Sequence, residues 1–374
     1  MRRNSKPFVK REEEAQHRIN DKISAQEIRL VNEGEEPKVL TLAAALEMAE
    51  AQDMDLVEIS PNAKPPVCKI MDYKKFLYNQ KRKQKELKAK QSKIVVKEIR
   101  EILESKRDEF NLTFTEEDHK YIMVNTDGEV VDTHPSVSKV TKLFYEEFDA
   151  EGIAYNKAKG NIQYMKELLK EWSDSGDYAS NMGSRVHYHL EKETIDRFGG
   201  FKEVRQPIFD CDLEQITKGD SMISAGKKYL KLCESRNLAL LDTEAVLGHP
   251  ALGYTGQPDK VWVTVNAAGN EIGLLITDWK TNKEKNFKPS KFTKNMYPPF
   301  HEYPSTALGH YYLQLPLYGK LLVKMLEGTK YENIKLLGCI VVLLKENSEY
   351  EEFRVPKPLI NTILDMDIRN YLEN

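Results

Sequence analysis

The chain has 374 residues, of which 40% are hydrophobic and 31% charged, and its formal net charge is −3. This length is enough for two or three domains, and this composition is typical of a globular protein with a sizeable hydrophobic core. Because no apolar run reaches the roughly 20 residues of a membrane span, and because the basic start at Met1–Asn4 leads into a polar stretch, we expect no membrane anchor or signal peptide, and a cytoplasmic protein.

The cysteines are scattered along the chain without any C-x-x-C pair. This spacing argues against a disulfide scaffold, a zinc ribbon and an iron–sulfur cluster, and it favours buried free thiols. The four residues are Cys68, Cys211, Cys233 and Cys339.

Charge is unevenly distributed. Residues 1–100 carry 22 Lys and Arg against 16 Asp and Glu, a net charge of +6, whereas residues 101–374 carry 34 against 43, a net charge of −9. The basic end is the better electrostatic match for a polyanion. The acidic remainder does not exclude nucleic-acid chemistry, because metal ligands add negative charge and a local groove can still be basic.

The first hundred residues predict a small α/β domain behind a flexible arm. Residues 1–17 are charged and lack apolar periodicity, which predicts a disordered arm. Order should begin near Ile19, and Thr41 is placed to cap a helix over residues 42–52. Strands are predicted over residues 27–31, 39–41, 55–59 and 65–70.

From Lys74 the sequence becomes a strongly basic helix that continues through Lys93. Long charged helices are usually solvated linkers, and this one is also suited to contact RNA phosphates with an affinity that falls steeply with salt. We therefore divide the chain into an arm, a small domain, a linker helix and a larger domain, with bounds at 1–17, 18–76, 77–106 and 107–374.

Three segments of the small domain resemble the N-terminal domain of bacterial translation initiation factor three. They are Arg18–Ile23, Asp55–Ala63 and Pro65–Phe76, and the resemblance extends over about residues 10–100. It implies docking on the small ribosomal subunit, or on ribosomal RNA, through Tyr73, Lys74, Lys75, Lys81, Arg82, Lys83 and Lys85. After Arg100 nothing resembles the factor's C-terminal domain, so we do not expect the full initiation role.

The larger domain predicts helices flanking a mixed sheet, and hence an α/β (α+β) protein overall. A hairpin is expected over residues 110–131, followed by a capped helix start at Pro135–Thr141. Further helices are predicted over 161–172, 178–198, 221–235 and 305–326, and strands over 239–247, 254–265, 272–279 and 335–344.

One strand ends in a group of residues suited to phosphodiester chemistry. The apolar run Leu274–Thr277 leads into Asp278 and Lys280, which share one face of the strand because side chains alternate. Asp259, after a Gly-rich turn, is the nearest second carboxylate, and we expect it beside Asp278 on a neighbouring antiparallel strand. Paired carboxylates can hold a divalent metal against phosphate oxygens, and an ammonium can stabilise developing charge. The alternative for such a fragment is an ordinary solvated strand end.

Together with two helical motifs, this group resembles the PD-(D/E)XK nuclease superfamily, in its RecB-like and phage-exonuclease-like branch. The motifs are Gly183-x-x-x-His187 and Gln314-x-x-x-Tyr318. The resemblance implies a Mg²⁺ or Mn²⁺ site made by His187, Asp259, Asp278 and the carbonyl of Trp279. It also implies that Lys280 is the catalytic lysine, Glu244 an accessory acid, and Gln314 and Tyr318 contacts near the metal or the nucleic acid.

The segment between Lys280 and His310 is rich in Lys, Phe and Tyr. Lys283 and Lys285 are candidates for nucleic-acid contacts, and alternating cations and rings can grip a backbone and stack bases. A surface loop without such a role is the alternative.

We therefore expect a metal-dependent, exonuclease-like enzyme acting on DNA, joined to a ribosome-binding or RNA-binding domain. The alternative is a protein that binds the small ribosomal subunit, in which the nuclease fold is inactive or serves only to bind nucleic acid. The sequence leaves open whether cleavage begins at strand ends, whether DNA or RNA is cut, and the oligomeric state. A phage or mobile-element origin of the second part is a further hypothesis.

Overall fold

A computed structural model describes residues 17–372 except 33, 35, 116–119, 132, 200–201, 205–206, 237 and 266–270, and the side chains of Lys88 and Val265. The chain divides into two compact units, residues 1–87 and 88–374. The predicted arm lies outside the described residues apart from His17. None of the described helices is long and apolar enough to cross a membrane.

The first unit is a four-stranded sheet with one short helix packed against it. Strands β1 (Glu27–Leu30), β2 (Lys38–Thr41), β3 (Asp55–Ser60) and β4 (Val67–Met71) lie in the order β2-β1-β4-β3. The pair β1–β4 is parallel and the other pairs are antiparallel. Helix α1 (Leu42–Glu50) starts as predicted at Thr41, whose side chain accepts a hydrogen bond from the N–H of Ala44 at 3.4 Å. The core contains Ile23, Ile28, Leu30, Ala45, Ala49, Leu56, Cys68 and Ile70.

Helix α2 (Tyr73–Glu109) begins in the first unit and ends in the second. In the second unit, the buried side chains of Val95, Ile99 and Leu103 belong to the main hydrophobic core. Arg100 donates hydrogen bonds to the carbonyls of Leu241 at 2.6 Å and Leu240 at 2.9 Å. The end of α2 therefore braces the strand that contains these two leucines.

The second unit is larger, and its strands and helices come in groups along the chain. In chain order they are β5 (Thr113–Thr115), β6 (Lys120–Val124), β7 (Val130–Val131), α3 (Val137–Lys142), α4 (Ala150–Ala158), α5 (Ile162–Phe198), α6 (Leu213–Ser235), β8 (Ala239–Thr243), β9 (Leu247–His249), β10 (Tyr254–Gly256), β11 (Lys260–Val265), β12 (Ile272–Lys280), α7 (Ala307–Met325), β13 (Lys335–Leu344), β14 (Tyr350–Arg354), α8 (Lys357–Asp365) and α9 (Arg369–Leu372).

A five-stranded sheet in the order β14-β13-β12-β11-β8 forms the centre of this unit. The pair β12–β13 is parallel and the other neighbours are antiparallel, so the sheet is mixed. Strands β9 and β10 form a separate pair, and β5, β6 and β7 form a third sheet. The predicted α/β class, a small domain followed by helices and a mixed sheet, is confirmed.

Side chains alternate between two cores on the faces of the central sheet. On β12, Leu274 and Ile276 belong to the core that includes buried residues of α7, such as Leu313. Trp279 belongs to the other core, together with Val186 of α5 and residues of α6. Since residues two apart share a face, Asp278 and Lys280 lie on the α7 side of the sheet.

The helices before the sheet are longer than the sequence predicts. The expected break between residues 172 and 178 is absent, and α5 is one helix of 37 residues. Residues 173–177 are exposed there, so their polar side chains remain solvated without breaking the helix. Helix α6 begins at Leu213 instead of residue 221, because Asp212 and Gln215 form a reciprocal capping box at its start.

Two predicted strands are interrupted at the positions of site residues. The expected strand 239–247 breaks at Glu244, whose φ of 45° is left-handed, and the expected strand 254–265 breaks between Gly256 and Lys260. A left-handed residue cannot continue a strand ladder. These breaks turn Glu244 and Asp259 out of regular strand geometry at the same end of the sheet.

Candidate metal centre

The two aspartates come together through the pairing of β11 with β12. The antiparallel register pairs Lys260 with Thr277, which places Asp259 and Asp278 as the next opposed residues. The backbone N–H of Trp279 donates a hydrogen bond to Asp259 Oδ2 at 2.6 Å. Both aspartates are buried, at 7% and 3% exposure. The predicted arrangement of the two carboxylates on neighbouring strands therefore exists in the structure.

Helix α5 brings an imidazole to this pair. His187 Nδ1 lies 3.4 Å from Asp259 Oδ1, while the neighbouring Val186 is buried in the core. Gly183 lies one turn earlier, where an added Cβ would be 3.2 Å from Thr281 Oγ1. The glycine thus permits a close approach of α5 to the chain that leaves β12, and this approach brings His187 within reach.

Glu244 completes a three-residue group. Its backbone N–H donates to the carbonyl of Asp259 at 3.1 Å, and its own carbonyl accepts from Gln257 Nε2 at 3.0 Å. These two hydrogen bonds hold the backbone of Glu244 in its left-handed conformation. One ligand atom each from His187, Glu244 and Asp259 lies within 4.8 Å of the others. The structure therefore places the predicted accessory acid among the potential ligands.

The donor set is suited to a divalent ion. Ligands at about 2.1 Å from an octahedral ion are about 3.0 Å apart when cis and about 4.2 Å apart when trans. The three ligand atoms lie within 4.8 Å of one another, so the group has to contract around a bound ion. Carboxylates suit Mg²⁺ and Mn²⁺, and an imidazole nitrogen favours the softer of these two ions. Asp278 lies beside Asp259 and can add a further oxygen.

Electrostatic coupling is strong in this group. Burial, followed by repulsion from Asp259, raises the pKa of Glu244 to about 8. For Asp259, burial raises the pKa but the opposing effects of His187 and Lys260 outweigh it and leave the pKa below its usual value. For His187, burial lowers the pKa but Asp259 raises it further, so the net shift is upward. A bound cation would relieve the repulsion between the two carboxylates.

A lysine and an aspartate lie next to the group as an ion pair. Lys280 Nζ contacts Asp278 Oδ2 and lies 4.4 Å from the centre of the Tyr311 ring. Burial lowers the pKa of Lys280, but Asp278 and Asp259 raise it further, so the side chain is a cation. Burial, followed by Asp259, raises the pKa of Asp278 despite the opposing effect of Lys280. The pair is therefore held in a fixed, largely dry position.

Helix α7 contributes the predicted glutamine and tyrosine. Gln314 Nε2 donates to the Tyr318 hydroxyl at 2.8 Å, and the Tyr318 ring is buried. An added Cβ at Gly256 would lie 2.5 Å from Tyr318 Cε1, so this glycine makes room for the ring. Asp278 and Asp259 both raise the pKa of Tyr318, after burial, which places its hydroxyl within electrostatic range of the two carboxylates.

Three further residues near the centre are not predicted from the sequence. Lys260 is 2% exposed, and its ammonium lies 4.2 Å from the Trp279 ring centre, beneath the acidic group. Glu191 accepts a hydrogen bond from Thr243 Oγ1 at 2.9 Å, next to Glu244. Tyr311 is the third. It precedes Gln314 by three residues and Tyr318 by seven, and this helical spacing is a signal that could have identified it.

The remaining predicted residues are placed differently. For Trp279 the structure shows the backbone N–H on Asp259 and the ring in the core, while its predicted metal contact through the carbonyl stays a prediction. Lys283 and Lys285 are exposed in the segment after β12. In the same segment Phe292 is 81% exposed, whereas the rings of Phe287 and Phe300 are buried, so only part of this segment can meet a ligand.

In the first unit, the predicted RNA-contacting residues divide into one buried ring and a set of exposed cations. Tyr73 is buried, with its ring against Phe76 and its hydroxyl 3.4 Å from His17 Nδ1. This ring is therefore a packing element of the first unit. The exposed residues are Lys74, Lys75, Lys81, Arg82, Lys83 and Lys85, all on α2.

Comparison with known families identifies the first unit. The family model for the translation initiation factor IF-3 N-terminal domain matches residues 19–87. The IF-3 proteins of Bacteroides thetaiotaomicron and Bacteroides fragilis are 61% and 59% identical over 85 and 86 residues, which are 23% of this chain and 46% and 42% of those proteins. That of Neisseria meningitidis is 53% identical over 89 residues, 24% of this chain and 51% of its own length.

The chain thus spans about half the length of the curated relatives it matches. The predicted resemblance of the first unit to the factor's N-terminal domain is confirmed. Among solved structures, an alkaline exonuclease from Laribacter hongkongensis aligns with 53% of this chain and 91% of its own chain, at 14% identity and a TM-score of 0.22. A similarity of that size has no bearing on the fold or activity of the second unit.

The three-residue group predicts metal binding that can be measured without any substrate. We expect His187→Ala and Glu244→Gln each to weaken Mn²⁺ binding by about tenfold or more in titration calorimetry, because each removes a ligand. His189→Ala, two residues further along α5, is the matched control and should bind Mn²⁺ like the unmodified chain. Equal affinities for all four proteins would contradict the assignment.

Proposed function

We propose that the second unit is a metal-dependent nuclease that hydrolyses phosphodiester bonds in DNA. The observation that carries this proposal is the convergence of His187, Glu244 and Asp259 beside the Asp278–Lys280 ion pair. These residues come from a helix, two strand interruptions and a strand end, and they meet at one end of the sheet. An ordinary solvated strand end does not bury two carboxylates next to each other.

Each residue has a distinct task in this proposal. His187, Glu244 and Asp259 would hold Mg²⁺ or Mn²⁺, with Asp278 and the Trp279 carbonyl as the remaining candidates. The bound ion supplies Lewis acidity toward a phosphate oxygen and makes water more acidic. The N–H of Trp279 keeps Asp259 in place, since it occupies Oδ2 and leaves Oδ1 toward His187.

Lys280 is suited to stabilise the charge that develops during hydrolysis. Its ammonium is fixed between Asp278 and the face of Tyr311, so little reorganisation is needed when a phosphate oxygen gains negative charge. It can also orient the attacking water by a hydrogen bond. Gln314 and Tyr318, linked by a hydrogen bond near the carboxylates, are placed to contact the nucleic acid.

The choice of DNA, and of attack at strand ends, rests on the sequence motifs. The order of these motifs along the chain resembles that of the RecB-like and phage-exonuclease-like nucleases. The motifs are Gly183-x-x-x-His187, Asp259, Asp278-x-Lys280 and Gln314-x-x-x-Tyr318. The geometry supports hydrolysis of a phosphodiester, and the motifs favour DNA as the substrate. Substrate comparison decides this point.

Cleavage should require the metal and the ion pair. We expect the full chain to degrade DNA with Mg²⁺ or Mn²⁺, and Asp278→Asn or Lys280→Met to reduce kcat by about 10²-fold or more, because each removes a buried group beside the reacting phosphate. EDTA should abolish cleavage. Lys324→Met, at a partly exposed lysine on α7, is the control and should keep full activity.

The substrates are linear duplex, circular duplex and single-stranded DNA, and RNA. If the purified chain and both variants are equally inactive on all four with either ion, while circular dichroism shows intact folding, the nuclease proposal is wrong. The second unit would then be an inactive nuclease fold or a module that only binds nucleic acid.

A second proposed function is docking on the small ribosomal subunit through the first unit. It is favoured by the 61% identity to an initiation factor over 85 residues and by the row of exposed cations on α2. It also accords with a cytoplasmic location. Since the match ends after the factor's N-terminal domain, docking without the full initiation role is the expected outcome.

Docking through these cations should be sensitive to salt. We expect the chain to sediment with small subunits at low ionic strength, and a variant neutralised on α2 to bind at least about tenfold more weakly with a shallower dependence on salt. The substitutions to Gln are at Lys81, Arg82, Lys83 and Lys85. The control neutralises three exposed lysines on α6, Lys227, Lys228 and Lys231. No co-sedimentation at low salt would contradict docking.

A further inference from the structure

A cavity of about 360 Å³ opens where the parallel strands β12 and β13 end. Its wall includes Thr281, which directly follows Lys280. An added Cβ at Gly183 of α5, one turn before His187, would be 3.2 Å from Thr281 Oγ1. Ligands of α/β proteins commonly bind beyond the carboxyl ends of parallel strands. The volume is near the lower end of the range of small-molecule sites.

The lining combines an apolar floor with polar groups at the rim. Met222, Leu343 and Leu344 are buried hydrophobic residues, whereas Asn282, Lys283 and Asn347 provide amide and ammonium groups. An apolar floor can contact the face of a nucleobase, and amides can bond to its edge. An apolar floor with amide groups at its rim is therefore suited to bind a nucleoside.

The charges around the cavity favour an anion at one position. Glu284 pairs with Lys288 at 2.6 Å and with Lys345 at 3.4 Å, and Glu346 lies 3.9 Å from Lys218. Among the charged residues that line the cavity, Lys283 is the one with no oppositely charged group within 4 Å in the described part of the chain. Its ammonium is therefore available to a phosphate.

A hydrogen bond connects the cavity to the catalytic lysine. Asn282 Oδ1 accepts from the Tyr311 hydroxyl at 2.9 Å, and the ring of Tyr311 lies under the Lys280 ammonium. This bond fixes Asn282 with its amide NH₂ as the remaining donor. A ligand held by Asn282 would thus have a defined position relative to Lys280.

From these contacts we propose that the cavity binds one nucleoside of the substrate strand, next to the phosphate that is cleaved, with a phosphate of that nucleotide on Lys283. The assignment rests on the nuclease function proposed above and specifies its substrate contact.

Binding of deoxythymidine 5′-monophosphate to the full chain tests this assignment without catalysis. With methyl-¹³C methionine, we expect intermolecular NOEs from the base to one methyl resonance, which Met222→Leu identifies by its loss. Lys283→Gln should weaken the nucleotide about tenfold, since it removes a charged hydrogen bond to phosphate. Lys335→Gln, at the opposite end of β13, is the control and should bind normally. Deoxyribose 5-phosphate should bind more weakly than the nucleotide.

Two results would overturn the assignment. One is nucleotide binding that Lys283→Gln leaves unchanged, and the other is binding without contact to Met222. These outcomes are separate from the test of catalysis. If the chain shows metal-dependent cleavage together with either result, the nuclease proposal stands and the assignment of the cavity to substrate binding is wrong. Nucleotide binding that Lys283→Gln weakens about tenfold, in a chain that cleaves nothing, would support a nucleotide site in the cavity and contradict the nuclease.

Discussion

The candidate site depends on the position of one carboxylate. Asp259 Oδ2 accepts the N–H of Trp279 on β12, and Oδ1 faces His187 on α5, so this side chain joins three elements of the second unit. The backbone carbonyl of the same residue accepts from Glu244. His187, Glu244 and Trp279 thus each contact Asp259. The buried carboxylate is tolerated because hydrogen bonds and cations surround it.

Two lysines offset the negative charge of the buried carboxylates. Lys260 lies under the acidic group against the Trp279 ring, and Lys280 lies beside Asp278 against the Tyr311 ring. Two aromatic faces thus hold two buried ammonium groups on opposite faces of the sheet. Burial, followed by repulsion from Asp259, still raises the pKa of Glu244. In the proposed function, a bound cation of high charge density would relieve the repulsion between these two carboxylates.

A site residue could be predicted from the sequence where its position depends on a local pattern of neighbouring residues. Two of the sequence patterns are local: the alternation of side chains along the strand at Asp278-x-Lys280, and the helical spacing from Gly183 to His187. Both patterns predicted residues that the structure brings to the site. The left-handed bend at Glu244 is not local, because it is fixed by hydrogen bonds to Asp259 and Gln257 on a different segment. Lys260 likewise gains its position only from packing on Trp279. The helical spacing of Tyr311 from Gln314 is also a local pattern, but Tyr311 does not belong to the family motifs.

The two units carry different kinds of information about function. The first is recognised by identity to an initiation factor, whereas the second is understood from the chemistry of a few converging side chains. Anomalous diffraction from crystals of the full chain soaked in Mn²⁺ tests that convergence most directly. We expect one strong peak with His187, Glu244 and Asp259 as ligands at about 2.1–2.2 Å. Ordered crystals in saturating Mn²⁺ with no peak among these three residues would contradict the metal centre.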